Sequence, residues 1–274
     1  MKSLRHERAV LHALDRAIRN NAVEVWFQPI YSIREGKING AEALSRLNDP
    51  QLGYISPGEF IDVAEKNGLI DKLGDQIIRK TCSFIKENDM AALGLEFINI
   101  NLSPIQLTSG DINRHFTSIV NDYGIPHDFL KVEITEAASV NGTFLNEKMN
   151  ELRDKGFHMA LDDFGTGYSN IIRVLEYPFD VIKLDLTLVW SYFREEKDVL
   201  PGLVSIFKTE NYTVVAEGVE NEAMARGLER LGVDALQGFY FSAALPPRDF
   251  VGYCRSRLST LGKTAAIAEK RTIG

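Results

Sequence analysis

Short apolar runs of strand length alternate with longer stretches of helical periodicity along most of this 274-residue chain. Parallel strands need crossover connections, so strands that alternate with helices indicate a mainly parallel sheet of the α/β class. Eight strands are predicted, at residues 26–32, 38–46, 96–102, 130–135, 158–163, 180–185, 213–217 and 235–241. The length suits a single α/β barrel, which typically needs roughly 250 residues.

The predicted helices have recognisable ends. Ser56-Pro57-Gly58-Glu59 combines a capping box with proline at the first helical position. Gly156 and Gly232 follow helical patterns and indicate where two helices end. Only a few residues around Gly36 join the first two strands, which favours a hairpin and an antiparallel opening pair. A closed barrel with one inverted strand therefore fits better than an open sheet.

Charge and cysteine content exclude several classes of protein. The 31 basic and 38 acidic residues give a formal charge of -7, so there is no cationic excess to release counterions from duplex nucleic acid. Cys82 and Cys254 are too few for a disulfide framework or a zinc site and are interpreted as reduced thiols. Residues 1–8 lack a signal-peptide core, and no uncharged apolar run reaches the ~18 residues of a membrane span. We expect a cytoplasmic location, alone or as the cytoplasmic part of a larger membrane-attached protein.

Polar and charged side chains stand in, or at the ends of, most predicted strands. They are Glu42, Asn101, Glu133, Glu136, Asp162, Asp163, Lys183, Asp185, Glu217 and Gln237. The carboxyl ends of barrel strands form the rim on which active sites are built. Strand alternation directs the apolar neighbours of Glu133 toward the helices and Glu133 itself into the barrel.

Each of these residues alone has an ordinary structural explanation. A single acidic residue at a strand end is more often a turn former or a helix cap, and 162–167 is also consistent with a glycine-rich turn. Several buried carboxylates around one lysine are different, because buried charge is costly unless it is paired or bound to metal. Oxygen donors without Cys or His favour Mg²⁺ or Mn²⁺ over zinc, and two-metal centres commonly hydrolyse phosphate esters. The residues alone predict a metal-dependent barrel hydrolase without naming its substrate.

An ordered set of motifs also carries a family resemblance. The motifs are Phe27-Gln28-Pro29-Ile30, Glu42-Ala43-Leu44-Ser45-Arg46, Asn101-Leu102-Ser103, Glu133-Ile134-Thr135-Glu136, Asp162-Asp163-Phe164-Gly165-Thr166-Gly167, Ile182-Lys183-Leu184-Asp185, Glu217-Gly218-Val219-Glu220 and Gln237-Gly238-Phe239. Between about residues 23 and 250 the chain resembles EAL domains, bacterial cyclic di-GMP phosphodiesterases. The resemblance implies a modified TIM (β/α)8 barrel with an antiparallel first strand.

The resemblance also implies roles for individual residues. Glu42, Asn101, Glu133 and Asp162 correspond to ligands of one metal ion, and Asp162, Asp163 and Glu217 to ligands of a second. Glu42, Lys183 and Glu217 correspond to catalytic residues, with Lys183 orienting the attacking water. Gln28, Leu44, Arg46 and Gln237 correspond to substrate contacts. Glu136 corresponds to the anchor of loop 163–169, and Glu220 to a supporting residue on the rim.

The implied activity is hydrolysis of cyclic di-GMP to linear pGpG with two divalent cations, Mg²⁺ or Mn²⁺, in a homodimer. Two alternatives remain open: a cyclic di-GMP receptor or scaffold that does not hydrolyse it, and a hydrolase of another phosphodiester. We predict a lead-in helix at residues 1–20, the barrel at 21–258 and a tail at 259–274. The lead-in is similar to segments that follow sensory or GGDEF modules, and the sequence leaves open whether the native protein carries such modules upstream.

Overall fold

The computed structural model describes residues 2–108, 111–135, 142–166 and 171–258. The strands in these ranges are β1 (Glu24–Ser32), β2 (Lys37–Asp49), β3 (Gly53–Ile55), β4 (Phe97–Asn101), β5 (Leu130–Thr135), β6 (His158–Phe164), β7 (Val181–Leu184), β8 (Thr213–Ala216) and β9 (Ala235–Gln237). The helices are α1 (Lys2–Arg19), α2 (Pro57–Lys66), α3 (Ile70–Glu87), α4 (Pro104–Thr108), α5 (Ile112–Tyr123), α6 (Gly142–Arg153), α7 (Ile171–Glu176), α8 (Leu186–Phe193), α9 (Leu200–Thr209) and α10 (Glu222–Leu231). A last helix covers residues 247–258. The predicted tail and Glu136 lie outside the described residues.

Eight strands close into a barrel, which confirms the predicted fold. Their order is β1-β9-β8-β7-β6-β5-β4-β2, and β2 pairs with β1 to complete the ring. Strands β2 and β4 to β9 are parallel, whereas β1 is antiparallel to both β2 and β9. The turn before β2 contains Gly36 at φ +65°, a left-handed conformation that glycine adopts without steric cost.

Two predicted strands differ from the observed strands by more than one residue at their carboxyl ends. The eighth barrel strand, β9, stops at Gln237 rather than continuing to Phe241, because the chain turns at Gly238. A Cβ at Gly238 would lie 2.3 Å from the backbone nitrogen of Val219, so the two segments approach too closely for a side chain. Strand β2 continues to Asp49 and pairs there with the short β3, which the apolar pattern did not predict.

The inside of the barrel is apolar at the amino ends of the parallel strands. Side chains from five barrel strands form a small cluster there: Ile30, Ala160, Val181, Val215 and Ala235. The ring of Phe97 covers Gly40, where an added Cβ would lie within 2.2–2.7 Å of ring atoms. The charged residues lie farther along the strands, so the carboxyl ends form the accessible mouth.

Helix α1 belongs to a second apolar core beside the barrel. Its residues Val10 and Leu14 are buried together with Phe60 of α2 and Leu73 of α3. Its Arg16 forms an ion pair with Asp49 at the end of β2.

The proposed boundaries at residues 20 and 258 stay predictions. Within the described ranges, no helix has the length and apolar character needed to cross a membrane.

Replacing Leu14 with alanine is expected to lower the free energy of unfolding by about 2–5 kcal/mol, the usual cost of truncating a core leucine. Leu14 is fully buried, whereas Leu4 on the same helix is 63% exposed. Leu4→Ala is therefore the matched control, with an expected change within about 0.5 kcal/mol. Urea denaturation measures both, and equal effects of the two substitutions would contradict the packing described for α1.

Candidate active site

Seven barrel strands direct polar side chains toward a common volume near the mouth. They supply Gln28 (β1), Glu42 (β2), Asn101 (β4), Glu133 (β5), Asp162 (β6), Lys183 (β7) and Gln237 (β9), and Glu217 follows β8 directly. Strand register places Gln28 opposite Glu42 and Asn101 opposite Glu133. The structure therefore brings these predicted residues together, and Glu42, Glu133, Asp162, Lys183 and Gln237 are buried.

The Lys183 ammonium lies at the centre of the group. Its Nζ is 3.1 Å from a carboxylate oxygen of Glu42, 2.9 Å from Glu133, 2.8 Å from Asp162 and 2.8 Å from Glu217. The lysine side chain is 1% exposed, so water does not screen these contacts effectively. One positive charge faces four carboxylates, so the centre carries an excess of negative charge.

The excess of negative charge and the burial of the site change the pKa values of the surrounding carboxyl groups. Burial raises the pKa of Glu133 well above its usual range, and the nearby Glu42 charge raises it further. Burial also raises the pKa of Glu217 to about 8 and that of Asp163 to about 6. Glu42 differs: burial opposes its ionisation, but Lys183 and hydrogen bonds from neighbouring amides outweigh burial and lower its pKa. These directions indicate a site that attracts protons or other cations.

Amide side chains hold the carboxylates in place. Asn101 Nδ2 donates to Glu42 Oε1 at 3.0 Å and to Glu133 Oε2 at 3.3 Å. Gln237 Nε2 donates to Glu42 Oε2 at 2.7 Å and to Gln28 Oε1 at 3.2 Å. These bonds fix the side-chain orientation of Glu42 from both sides.

Sequence reasoning missed one residue of this network. Asn99 is 1% exposed, and its Nδ2 donates to Glu133 Oε1 at 2.5 Å. It lies two positions before Asn101 along β4, so both side chains point into the barrel. That shared face was visible in the sequence, but nothing in it distinguished a partner of Glu133 from an ordinary buried amide.

Asp162 and Asp163 are consecutive residues that both face the centre, which a regular strand does not allow. Asp163 has φ +57°, and the β6–β7 register is irregular between Leu161 and Phe164. A left-handed residue within a strand breaks the alternation of side chains, as in a β-bulge. The irregularity therefore directs two neighbouring carboxylates to the same side.

The carboxylates form two groups suited to metal ions. Glu42, Glu133 and Asp162 place ligand oxygens within 4.8 Å of one another, and so do Asp162, Asp163 and Glu217. Asp162 belongs to both groups. Every donor in them is a carboxylate oxygen, which suits hard divalent cations.

The remaining predicted residues lie around this centre. Leu44 lines a cavity of about 450 Å³ that runs from Glu42, Asp162 and Glu217 to an apolar wall formed by helices α2 and α3. Arg46 is half-buried, with its guanidinium over the ring of Trp26. Glu220 is exposed and belongs to neither carboxylate group. The structure does not describe Glu136.

Comparison with known proteins gives the family. The EAL domain profile matches residues 11–244, and this chain belongs to the EAL domain family. The chain is 33% identical over 262 residues to the oxygen sensor protein DosP of Escherichia coli, covering 94% of this chain and 33% of DosP. It is 32% identical over 244 residues to the cyclic di-GMP phosphodiesterase RocR of Pseudomonas aeruginosa, covering 87% of this chain and 62% of RocR. The chain thus spans less than two thirds of either relative.

A solved structure supports the same architecture. The PaMucR phosphodiesterase, solved as a complex with c-di-GMP, superposes on this chain with a TM-score of 0.81. The two are 29% identical, and the superposition covers 88% of this chain and 99% of that chain.

The free energy of unfolding of the metal-free protein is expected to fall as pH rises from about 5 to about 8. In this window the folded state retains protons on carboxylates such as Glu217, whose pKa is about 8, while the unfolded chain releases them near the ordinary value of 4.5. Urea denaturation in EDTA across this range measures the slope. Glu217→Gln, which cannot ionise, is expected to give a smaller slope, and an unchanged slope would contradict the proton affinities described here.

Proposed function

We propose that this chain hydrolyses cyclic di-GMP to linear pGpG with two divalent cations, Mg²⁺ or Mn²⁺. The observation that carries the proposal is the pair of carboxylate groups that share Asp162 around Lys183. Membership of the EAL family, the phosphodiesterase RocR and the c-di-GMP complex of PaMucR support the choice of substrate.

The donor set fits the proposed cations. Glu42, Asn101, Glu133 and Asp162 would hold one ion, and Asp162, Asp163 and Glu217 the other. All of these side chains offer oxygen, and their summed charge exceeds what Lys183 alone neutralises. Bound divalent cations would offset the negative charge of a phosphodiester with their own positive charge. As Lewis acids they would also lower the pKa of bound water toward neutrality.

The residues of the chain then have distinct tasks in the proposed reaction. Lys183 donates a hydrogen bond to the attacking water and orients it in line with the scissile bond. The water oxygen gives up a proton and forms a bond to phosphorus, and the bond from phosphorus to a 3′ oxygen breaks. That oxygen gains a proton, which balances the one that the water gives up. Asn101 and Gln237 keep Glu42 oriented through their hydrogen bonds to it. Such fixed geometry removes the entropic cost of assembling the reacting groups.

Substrate binding is assigned to the cavity beside the carboxylates. Its volume of about 450 Å³ lies within the range of small-molecule pockets, and its wall beyond Leu44 is apolar. An apolar wall suits the flat face of a guanine base. In the proposal, the Arg46 guanidinium supplies donors matched to a phosphate, and Gln28 and Gln237 contact the substrate near Glu42.

The molecular context belongs to the same proposal. The chain aligns with only 33% of DosP, so the native protein is proposed to place this barrel after sensory or GGDEF modules in the cytoplasm. A homodimer and supporting roles for Glu136 and Glu220 are also proposed, with the family resemblance as their support.

Incubation of the purified protein with cyclic di-GMP and either Mg²⁺ or Mn²⁺ tests the proposal directly. We expect pGpG to accumulate, as measured by chromatography, and EDTA to stop it. Tight binding of cyclic di-GMP without product would overturn hydrolysis and support a receptor. Cleavage of a different phosphodiester in a substrate panel, with cyclic di-GMP left intact, would support the second alternative, a hydrolase of another phosphodiester.

Glu42→Gln is expected to reduce kcat by at least about a hundredfold, because residues that only support metal ligands already cost 10- to 100-fold when replaced. The variant keeps the size of the side chain, and circular dichroism should show an intact fold. Glu96→Gln is the matched control, since Glu96 is exposed and pairs with Lys37 at the opposite end of the barrel. Full activity of Glu42→Gln would remove Glu42 from the proposed ligand set.

A further inference from the structure

Trp26 lies at the mouth of the barrel because β1 runs against the other barrel strands. The first residues of β1 therefore lie beside the last residues of β2, with Glu24 opposite Arg46, Trp26 opposite Leu44 and Gln28 opposite Glu42. Alternation along β1 places Glu24 and Trp26 on the same face as Gln28, which bonds to Gln237 at the centre.

Arg46 is held by groups that do not neutralise it. Its guanidinium carbon lies 5.6 Å from the centre of the Trp26 ring, within the range of a cation–π contact. Its Nη1 donates to the backbone oxygen of Ser45 at 2.9 Å. Within the part of the chain that the structure describes, Arg46 takes part in none of the ion pairs. The guanidinium is therefore oriented while its charge stays available to an anion.

The absence of an ion pair at this position needs an explanation, since Glu24 is the cross-strand partner of Arg46. Opposite charges on facing positions of antiparallel strands normally attract each other. Here the Glu24 carboxylate instead accepts a hydrogen bond from Trp26 Nε1 at 2.8 Å. The Trp26 indole thus makes two contacts: its N–H donates to the Glu24 carboxylate, and its ring face packs against the Arg46 guanidinium.

We propose that Trp26 is a positioning residue for the substrate phosphate: it orients Arg46 with its ring face and keeps Glu24 from pairing with Arg46. The inference rests on the proposed function, in which Arg46 contacts a phosphate of cyclic di-GMP. A phosphate group would then be the first full counter-charge that the guanidinium meets. The role is one of binding, because Trp26 is not one of the residues that surround Lys183.

Steady-state kinetics of cyclic di-GMP hydrolysis separates this role from a general structural one. Trp26→Ala is expected to raise KM roughly fivefold to tenfold with kcat changed less than about twofold, since a cation–π contact of this kind has modest energy. Glu24→Gln alone should leave KM almost unchanged. In the double variant Trp26→Ala/Glu24→Gln, KM should return partway toward the wild-type value, because no carboxylate is left to pair with Arg46.

Trp26→Phe gives a further discriminating comparison. It keeps a ring face but loses the N–H that binds Glu24, so we expect a KM between those of the wild type and Trp26→Ala. Adding Glu24→Gln to Trp26→Phe should lower that KM toward the wild-type value. An unchanged KM in Trp26→Ala, or a double variant no better than Trp26→Ala, would overturn the inference.

Calorimetric titration of the same variants with cyclic di-GMP separates the two proposals: wild-type protein that binds but does not cleave overturns hydrolysis only. Wild-type protein that does not bind overturns both.

Discussion

A single buried ammonium shared among four carboxylates is the interaction on which the site depends. Lys183 contacts Glu42, Glu133, Asp162 and Glu217 within 2.8–3.1 Å, yet it cannot balance all four. In a poorly solvated volume such an imbalance is costly unless protons or further cations compensate it. The upward pKa shifts of Glu133 and Glu217 reflect this demand. A pair of divalent cations would compensate this negative charge, and the oxygen ligands for them are already in place.

The barrel makes this concentration of charge possible. Parallel strands carry their carboxyl ends to one rim, and the apolar cluster around Val181 and Val215 closes the other end. The inverted β1 contributes what a parallel strand could not, since its first residues lie at the mouth. Gln28 and Trp26 thereby lie beside Glu42 and Arg46. One reversed strand thus supplies an amide to the centre and an aromatic ring to the rim.

Much of this arrangement could be predicted from the sequence, because strand alternation and strand ends are local properties. The inward direction of Glu133, the opening hairpin and the gathering of acidic residues at one rim all follow from such rules. Features that depend on distant segments could not be predicted. The left-handed backbone at Asp163 arises where β6 meets β7, and β9 is cut short by the close approach of Val219. The bond from Asn99 to Glu133 likewise requires the β4–β5 register.

Counting the metal ions bound by the purified chain tests the central claim most directly. Equilibrium titration with Mn²⁺, followed by calorimetry and by electron paramagnetic resonance, gives both the number of ions and their proximity. The account predicts two Mn²⁺ ions per chain with magnetic coupling between them, and loss of both on Asp162→Ala, because Asp162 belongs to both carboxylate groups. Binding of no Mn²⁺, or of two distant and uncoupled ions that Asp162→Ala leaves in place, would contradict it.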